Sequence, residues 1–323
     1  MEKEMITRRE KDRLYFPVAS GVWGTKDIFV NMYMIKSEET GEWVLADTGL
    51  KSSAPRIRKM AEKLFGPGAR PAAIVLTHGH FDHAGSLKKL LEEWGDVPVY
   101  CHYLELPYLS GKSAYPPADP SVGGGLLAAF SWMYPKRPIN VEPHLHILPP
   151  DGTVPGLPEW RYLHTPGHAP GHVSLFREHD RLLIAGDAFV TTRQESVTSV
   201  MLQQRRISGP PKYLTYDWEA AHNSVKRLAA LHPRTVATGH GKPMAGPAMQ
   251  AALEQLAIHF EETAVPDKGR YVHHAAVTDA SGVTYLPPRR QRMPSRLLLL
   301  AAGVTVATAL LTWALVAGER EEG

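Results

Sequence analysis

The stretch LTHGHFDHAG, Leu76 to Gly85, puts His78, His80, Asp82 and His83 within six positions of one another. It comes directly after a short apolar strand predicted over Ala73–Thr77. A strand that ends in a loop is a stiff base for aiming side chains outward. Strand-like alternation sends His78 and His80 to one side, while Asp82 and His83 turn toward a neighbouring position. A zinc-like cation takes three or four imidazole or carboxylate ligands. The loop therefore offers two ligands to one ion and two to a second. A lone histidine is more often structural, but four metal-type residues this close together argue against that reading.

A two-ion site needs further ligands at other strand ends, and three segments supply them. LHTPGHAPGHVSLF carries His168 in a glycine-rich turn after a strand ending near His164. LLIAGDAF carries Asp187 straight after an apolar strand, where an unpaired carboxylate would be costly. TVATGHGKPM carries His240 between a strand and a glycine. Each repeats one local pattern: apolar run, small residue, ligand. His164 reads as structural, and His102, His144, His146 and His222 have no ligand partners at useful spacing. Lys242 either meets an anionic substrate or is simply exposed.

As a set, THGHFDHAG, ADTG around Asp47, TPGHAPGH, GDAF and GHG resemble the metallo-β-lactamase-fold superfamily, in its order, over roughly Val18 to Thr263. The resemblance implies an α+β fold, a four-layer αβ/βα sandwich with the site at one edge between the sheets. It implies that His78, His80 and His168 bind one metal, that Asp82, His83 and His240 bind a second, and that Asp187 bridges them. Asp47 and His172 would orient those ligands. The implied cofactors are two divalent ions, Zn2+ first, with Fe or Mn as alternatives. An acid at position 187 is similar to the glyoxalase II and lactonase side of the superfamily. The tyrosine of the lactonase branch, three residues further on, is Val190 here, and no glutathione-binding signature stands in the C-terminal helices.

The activity implied is hydrolysis of ester, thioester, lactone or related bonds. A water held by two cations becomes hydroxide near neutral pH, and Asp82 shuttles the proton. Rival readings are a mononuclear iron enzyme similar to persulfide dioxygenases, a phosphodiesterase or nuclease of the same fold, and a non-catalytic membrane scaffold. The formal charge of +3 gives no argument for a nucleic-acid partner, and none is expected.

The 323 residues suffice for one large domain, and the single cysteine, Cys101, excludes an internal disulfide. The catalytic domain is expected over 1–265, a polar, proline-bearing linker over 266–296 and a short tail over 318–323. Between them LLLLAAGVTVATALLTWALVA, Leu297 to Ala317, has no charge and no proline. Its length matches a hydrocarbon core of about 30 Å. Basic residues precede this run and acidic ones come after it, so the expectation is a single-pass anchor with the catalytic domain on the cytoplasmic side. The charged first sixteen residues lack the apolar stretch of an export signal.

The segment from Tyr103 to Pro143 breaks the strand–helix rhythm. It reads either as a surface helical hairpin or as a lid, with Phe130, Trp132, Met133 and Tyr134 facing an apolar substrate or the membrane. An amphiphilic or acyl small molecule is the substrate this arrangement suggests.

Overall fold

A computed structural model describes residues 14–288. The first sheet runs in sequence order: β1 (Phe16–Ala19), β2 (Val22–Asp27), β3 (Val30–Lys36), β4 (Trp43–Ala46), β5 (Ala73–Val75), β6 (Val99–Cys101) and β7 (Leu145–Ile147). The second comprises β8 (Thr153–Val154), β9 (Leu157–His164), β10 (Val173–Arg177), β11 (Leu182–Ile184), β12 (Thr235–Ala237) and β13 (Met244–Ala245), in reverse order across the sheet. Helices α1 (Ala54–Phe65) and α2 (Leu87–Trp94) cover the first sheet, and α3 (Trp218–Ala229) and α4 (Pro247–Ile258) cover the second.

Near-continuous apolar strands belong in sheets covered on both faces, and the alternation shows how. Along β3, Val30, Met32 and Met34 pack under α1 and α2, while Tyr33 and Ile35 face the second sheet. In β4 and β5, Trp43, Leu45 and Ile74 take the helix side, and Val44, Ala46, Ala73 and Val75 the sheet side. The second sheet mirrors this: Leu183 and Val236 meet α3 and α4, and Leu182, Ile184 and Ala237 point inward. The result is the expected four-layer αβ/βα sandwich. On α1 the buried Ile57, Met60 and Ala61 recur at the three- and four-residue spacing of one helix face.

Several boundaries depart from the sequence reading. The amphipathic pattern over Ala84–Trp94 predicts a helix, which begins only at Leu87, because His83 N and Ala84 N both donate to the His80 carbonyl and wrap the loop around it. Ser53 stands at the start of α1, yet its hydroxyl donates to Asp27 Oδ2 at 2.6 Å instead of capping the helix. The sequence also predicts a helix over Pro247–Thr263, which breaks at His259 and leaves a short turn, Phe260–Thr263.

Within the described residues, the expected linker is not an open spacer. A hairpin of β14 (Val277–Asp279) and β15 (Gly282–Tyr285) lies in it, and Tyr271 donates to the Pro117 carbonyl at 2.7 Å. Arg270 N donates to Asp119, and Ala276 N to the Tyr216 carbonyl. The compact unit therefore runs to Pro288 rather than to residue 265. The proline-bearing stretch has the composition of a linker, and the partners that order it lie about 150 residues away along the chain. The apolar run Leu297–Ala317 lies outside the described residues. Among those described, no helix is long and apolar enough to cross a membrane.

The segment from Tyr103 to Pro143 is not a helical hairpin. It holds only one-turn helices, Leu106–Leu109 and Leu126–Ala129, and 3-10 turns. It packs through Val122 and Ala128 against Tyr213, Leu214 and Tyr271.

Candidate metal centre

Every predicted ligand lies in a loop just past the end of a central strand. His78, His80, Asp82 and His83 come after β5, His168 after β9, Asp187 after β11 and His240 after β12. In the second sheet β11 and β12 are parallel neighbours, so their trailing loops emerge side by side. All seven residues are buried, none more than 5 % exposed. The predicted grouping is reproduced in space: His78, His80 and His168 offer ligand atoms within 4.8 Å of one another, and so do Asp82, His83 and His240. A third cluster, His78, His83 and Asp187, overlaps both triads.

Asp187 stands between the triads. Its Oδ2 lies 3.0 Å from His240 Nε2, 3.5 Å from His83 Nε2 and 3.4 Å from His168 Nε2. The small residue before His240 is what permits this approach. A Cβ on Gly239 would sit 2.1 Å from Asp187 Oδ1 and 2.7 Å from His83 Cε1.

The far sides of His83 and His240 are fixed by hydrogen bonds, the usual way a ligand's tautomer and orientation are set. His83 Nδ1 bonds Asp47 Oδ2 at 2.8 Å, and Asp47 also accepts from Thr77 N and Thr77 Oγ1, each at 2.8 Å. Asp47 reaches this position from a left-handed backbone, φ 62°, a conformation Asp tolerates better than most residues. His240 Nδ1 bonds the Phe29 carbonyl at 2.8 Å. The Nε2 of His172 accepts from Asp187 N at 2.9 Å, so His172 holds the backbone of the central acid rather than facing the cluster.

Burial, with the neighbouring imidazoles adding to it, holds His78 and His168 well below the ordinary histidine pKa and pushes His80 down to about 3. These three imidazoles stay neutral, each with a lone pair available to a cation. Burial works against charge on His83 and His240 too. There, however, Asp187 wins, joined by Asp47 at His83 and Asp82 at His240, and both pKa values rise. Asp187 itself is buried, but His240 and His83 hold it ionised, well below the usual carboxylate range. Burial raises Asp82.

Buried polar atoms are nearly always paired, yet His78 Nε2, His83 Nε2 and Asp187 Oδ1 have no hydrogen-bond partner. Orphaned imidazole nitrogens and a carboxylate oxygen converging in one buried cluster are the donor set a divalent cation satisfies. The residues fit the implied ions.

Three contributors were missed by sequence reasoning. Glu105, fully buried, bonds Gly79 N and Gly171 N in two of the ligand loops. Tyr115 donates to Glu105, and its ring lies 4.4 Å from that of His80. Tyr216 OH stands 3.1 Å from His80 Nε2. None sits in a metal-ligand spacing, and no local signal marks them.

His80 forms part of the floor of a cavity of about 620 Å³, roofed by the Tyr103–Pro143 segment through Tyr115, Tyr134 and Pro138. Of the four aromatic and apolar residues expected to face a ligand, Tyr134 lines the cavity. Trp132 and Met133 are about half exposed, and Phe130 is partly buried outside the lining.

Fold and site define a class, and comparison with known proteins agrees. The family model of the metallo-beta-lactamase superfamily matches residues 25–240, and the chain belongs to that superfamily. A Bacillus subtilis (strain 168) relative named probable metallo-hydrolase YflN is 46% identical over 243 residues, 75% of this chain and 92% of the relative. The acyl-coenzyme A thioesterase MBLAC2 of Gallus gallus is 26% identical over 193 residues, 53% of this chain and 64% of that protein. Among solved structures, a beta-lactamase domain protein from Burkholderia ambifaria shares the fold. Its TM-score is 0.52 at 22% identity, covering 76% of this chain and 73% of that one.

Proposed function

We propose that this protein is a hydrolase that uses two divalent cations, Zn2+ in the first instance and Fe or Mn as alternatives, to cleave an ester, thioester or lactone. The observation that carries the reading is the single oxygen of Asp187, within 3.5 Å of nitrogens belonging to both ligand triads. His78, His80 and His168 would hold one ion, and Asp82, His83 and His240 the other, with Asp187 shared. When bound, such a pair supplies Lewis acidity and a water acidic enough to ionise near neutral pH.

The chain's own residues do the rest. Asp47 and the Phe29 carbonyl keep His83 and His240 from rotating. Asp82, its pKa raised by burial, is suited to take the proton of the attacking water and pass it to the departing oxygen or sulfur. Water adds across the bond, and an acid and an alcohol or thiol leave. The apolar cavity over His80 supports an acyl or otherwise amphiphilic substrate. The uncharged run Leu297–Ala317, with basic residues before it, supports a membrane anchor that keeps the catalytic domain on the cytoplasmic side.

The test is elemental analysis of the purified protein together with a panel of ester, thioester, lactone and phosphodiester substrates. Two tightly held ions per chain and turnover of an acyl ester or thioester are expected. A metal-replete protein that cleaves only phosphodiesters, or nothing, would overturn the reading.

A further inference from the structure

The cavity over His80 has two ends of opposite character. Its floor is buried and holds His80, Tyr216, Tyr108 and Ala84. Its rim is exposed and carries three cations: Lys51, from the loop after β4, and Lys136 and Arg137, from the roofing segment. No Asp or Glu appears anywhere in the lining. Among the described residues, none of the three cations pairs with a carboxylate, whereas Lys112 of the same segment is bound to Glu142 at 2.6 Å.

Nor are Lys136 and Arg137 on a loose strand of chain. Pro135 and Pro138 bracket them in the sequence PKRP, and each proline fixes its own φ and restricts the residue before it. Between floor and rim the wall is apolar and aromatic, formed by Phe81, Tyr134, Leu214 and Ile139. Unpaired charges of one sign around a low-dielectric cleft concentrate ligands of the other sign.

We infer that the substrate is an anionic amphiphile, its reacting group at the His80 floor, an apolar segment along the aromatic wall, and a phosphate or carboxylate held at the rim by Lys51, Lys136 and Arg137. The inference rests on the proposed hydrolase reading for the identity of the reacting group. The selection of charge rests on the cavity alone. A neutral ester of the same length fills the wall and leaves the three cations solvated. An anionic one engages them, so discrimination between the two shows as affinity and weakens with salt.

The experiment measures binding, so it does not depend on turnover. The full-length, metal-loaded protein is titrated with octyl phosphate, octanoate and octanol, below their aggregation limits, at low and high salt. The K51Q/K136Q/R137Q variant, altered only at exposed positions, is titrated alongside. One or both anions should bind roughly tenfold or more tightly than octanol at low salt, and the preference should shrink in high salt and in the triple variant. Which of the two binds more tightly separates a phosphate from a carboxylate terminus.

Equal binding of all three compounds overturns the inference. So does an anion preference that survives in the triple variant, because the anion is then held at the metal centre. If anions are selected at the rim but no ester or thioester is cleaved, the hydrolase reading fails and the charge selection stands. Turnover of esters without charge selection is the reverse case.

Discussion

Glu105 Oε1 accepts a hydrogen bond from Gly171 N at 2.7 Å, and the same carboxylate reaches Gly79 N at 2.8 Å through Oε2. One fully buried side chain thus ties the loop of His78 and His80 to the loop of His168. Both glycines are needed for it: a Cβ on Gly171 would lie 2.8 Å from Glu105 Cγ, and one on Gly79 would lie 2.8 Å from the Tyr115 hydroxyl. Glu105→Gln sets an amide N–H against one of these backbone donors, which loosens the triad the two loops build. Affinity for a divalent ion should fall about 10- to 100-fold, the range for residues that orient ligands. Chelator competition with Zn2+ measures it, with circular dichroism as the control for folding. Unaltered affinity in a folded variant would show that the clamp is irrelevant to the metal.

Asp187→Asn removes the charge shared by His240, His83 and His168. The variant should hold fewer than two ions per chain after dialysis, with at least about tenfold weaker retention of those that remain. Inductively coupled plasma analysis reads this directly. Two ions retained as firmly as in the parent would rule out a bridging role for Asp187.

In the metal-free protein, stability should decline as pH falls below the ordinary histidine value. Burial pushes His80 and His172 to about 3, so the unfolded chain takes up their protons first. Their contribution is complete above about pH 6.5 and is lost progressively as pH falls toward about 3. His78 and His168, also lowered, act in the same direction. His83 and His240 are raised; their contribution is present below about pH 6.5 and is lost as pH rises through their folded values. His102 and His164 are lowered as well, and six lowered histidines outnumber the raised His83, His240, Asp82 and Glu105, so the urea midpoint of chelator-treated protein should drop between pH 7 and 5. A flat or rising midpoint would contradict this.

Tyr134 bonds the Leu127 carbonyl at 2.9 Å, and its ring lies 5.2 Å from Phe81 across the cavity wall. Tyr134→Ala removes that wall and its anchor. KM for a medium-chain ester should rise about two- to tenfold, the worth of one aromatic contact, while metal content stays at the parental value. A KM that does not depend on this ring would place the acyl group elsewhere.

A chain ending at Pro288 keeps the compact unit and lacks the run Leu297–Ala317. It should leave the membrane fraction and stay in solution without detergent, with its metal content intact. Sedimentation of cell lysates decides the point: recovery of the shortened chain with the membranes would refute the anchor.

The seven residues that cluster in space are legible in the sequence as candidates because each lies within a few residues of the end of a predicted strand, behind a turn marked by Gly or Thr. The alternation of strands and helices points to sheets covered by helices, and the four-layer order comes from the family resemblance. β3, β4 and β5 are apolar on both faces, and such strands need cover on both sides. The ordered hairpin after Pro266 is not legible, since its polar, proline-bearing residues are held by Asp119 and Pro117 from a distant insertion.

The sequence by itself determined the kind of chemistry, because ligand identity and loop spacing are local properties that survive in the unfolded chain. Only the tertiary structure decided which atoms meet. It brought one oxygen of Asp187 between two triads, placed Glu105 across 66 residues onto Gly171, and put a cationic rim above an aromatic wall. These contacts depend on two sheets packing face to face, and no short stretch of the chain records where that packing brings its distant neighbours.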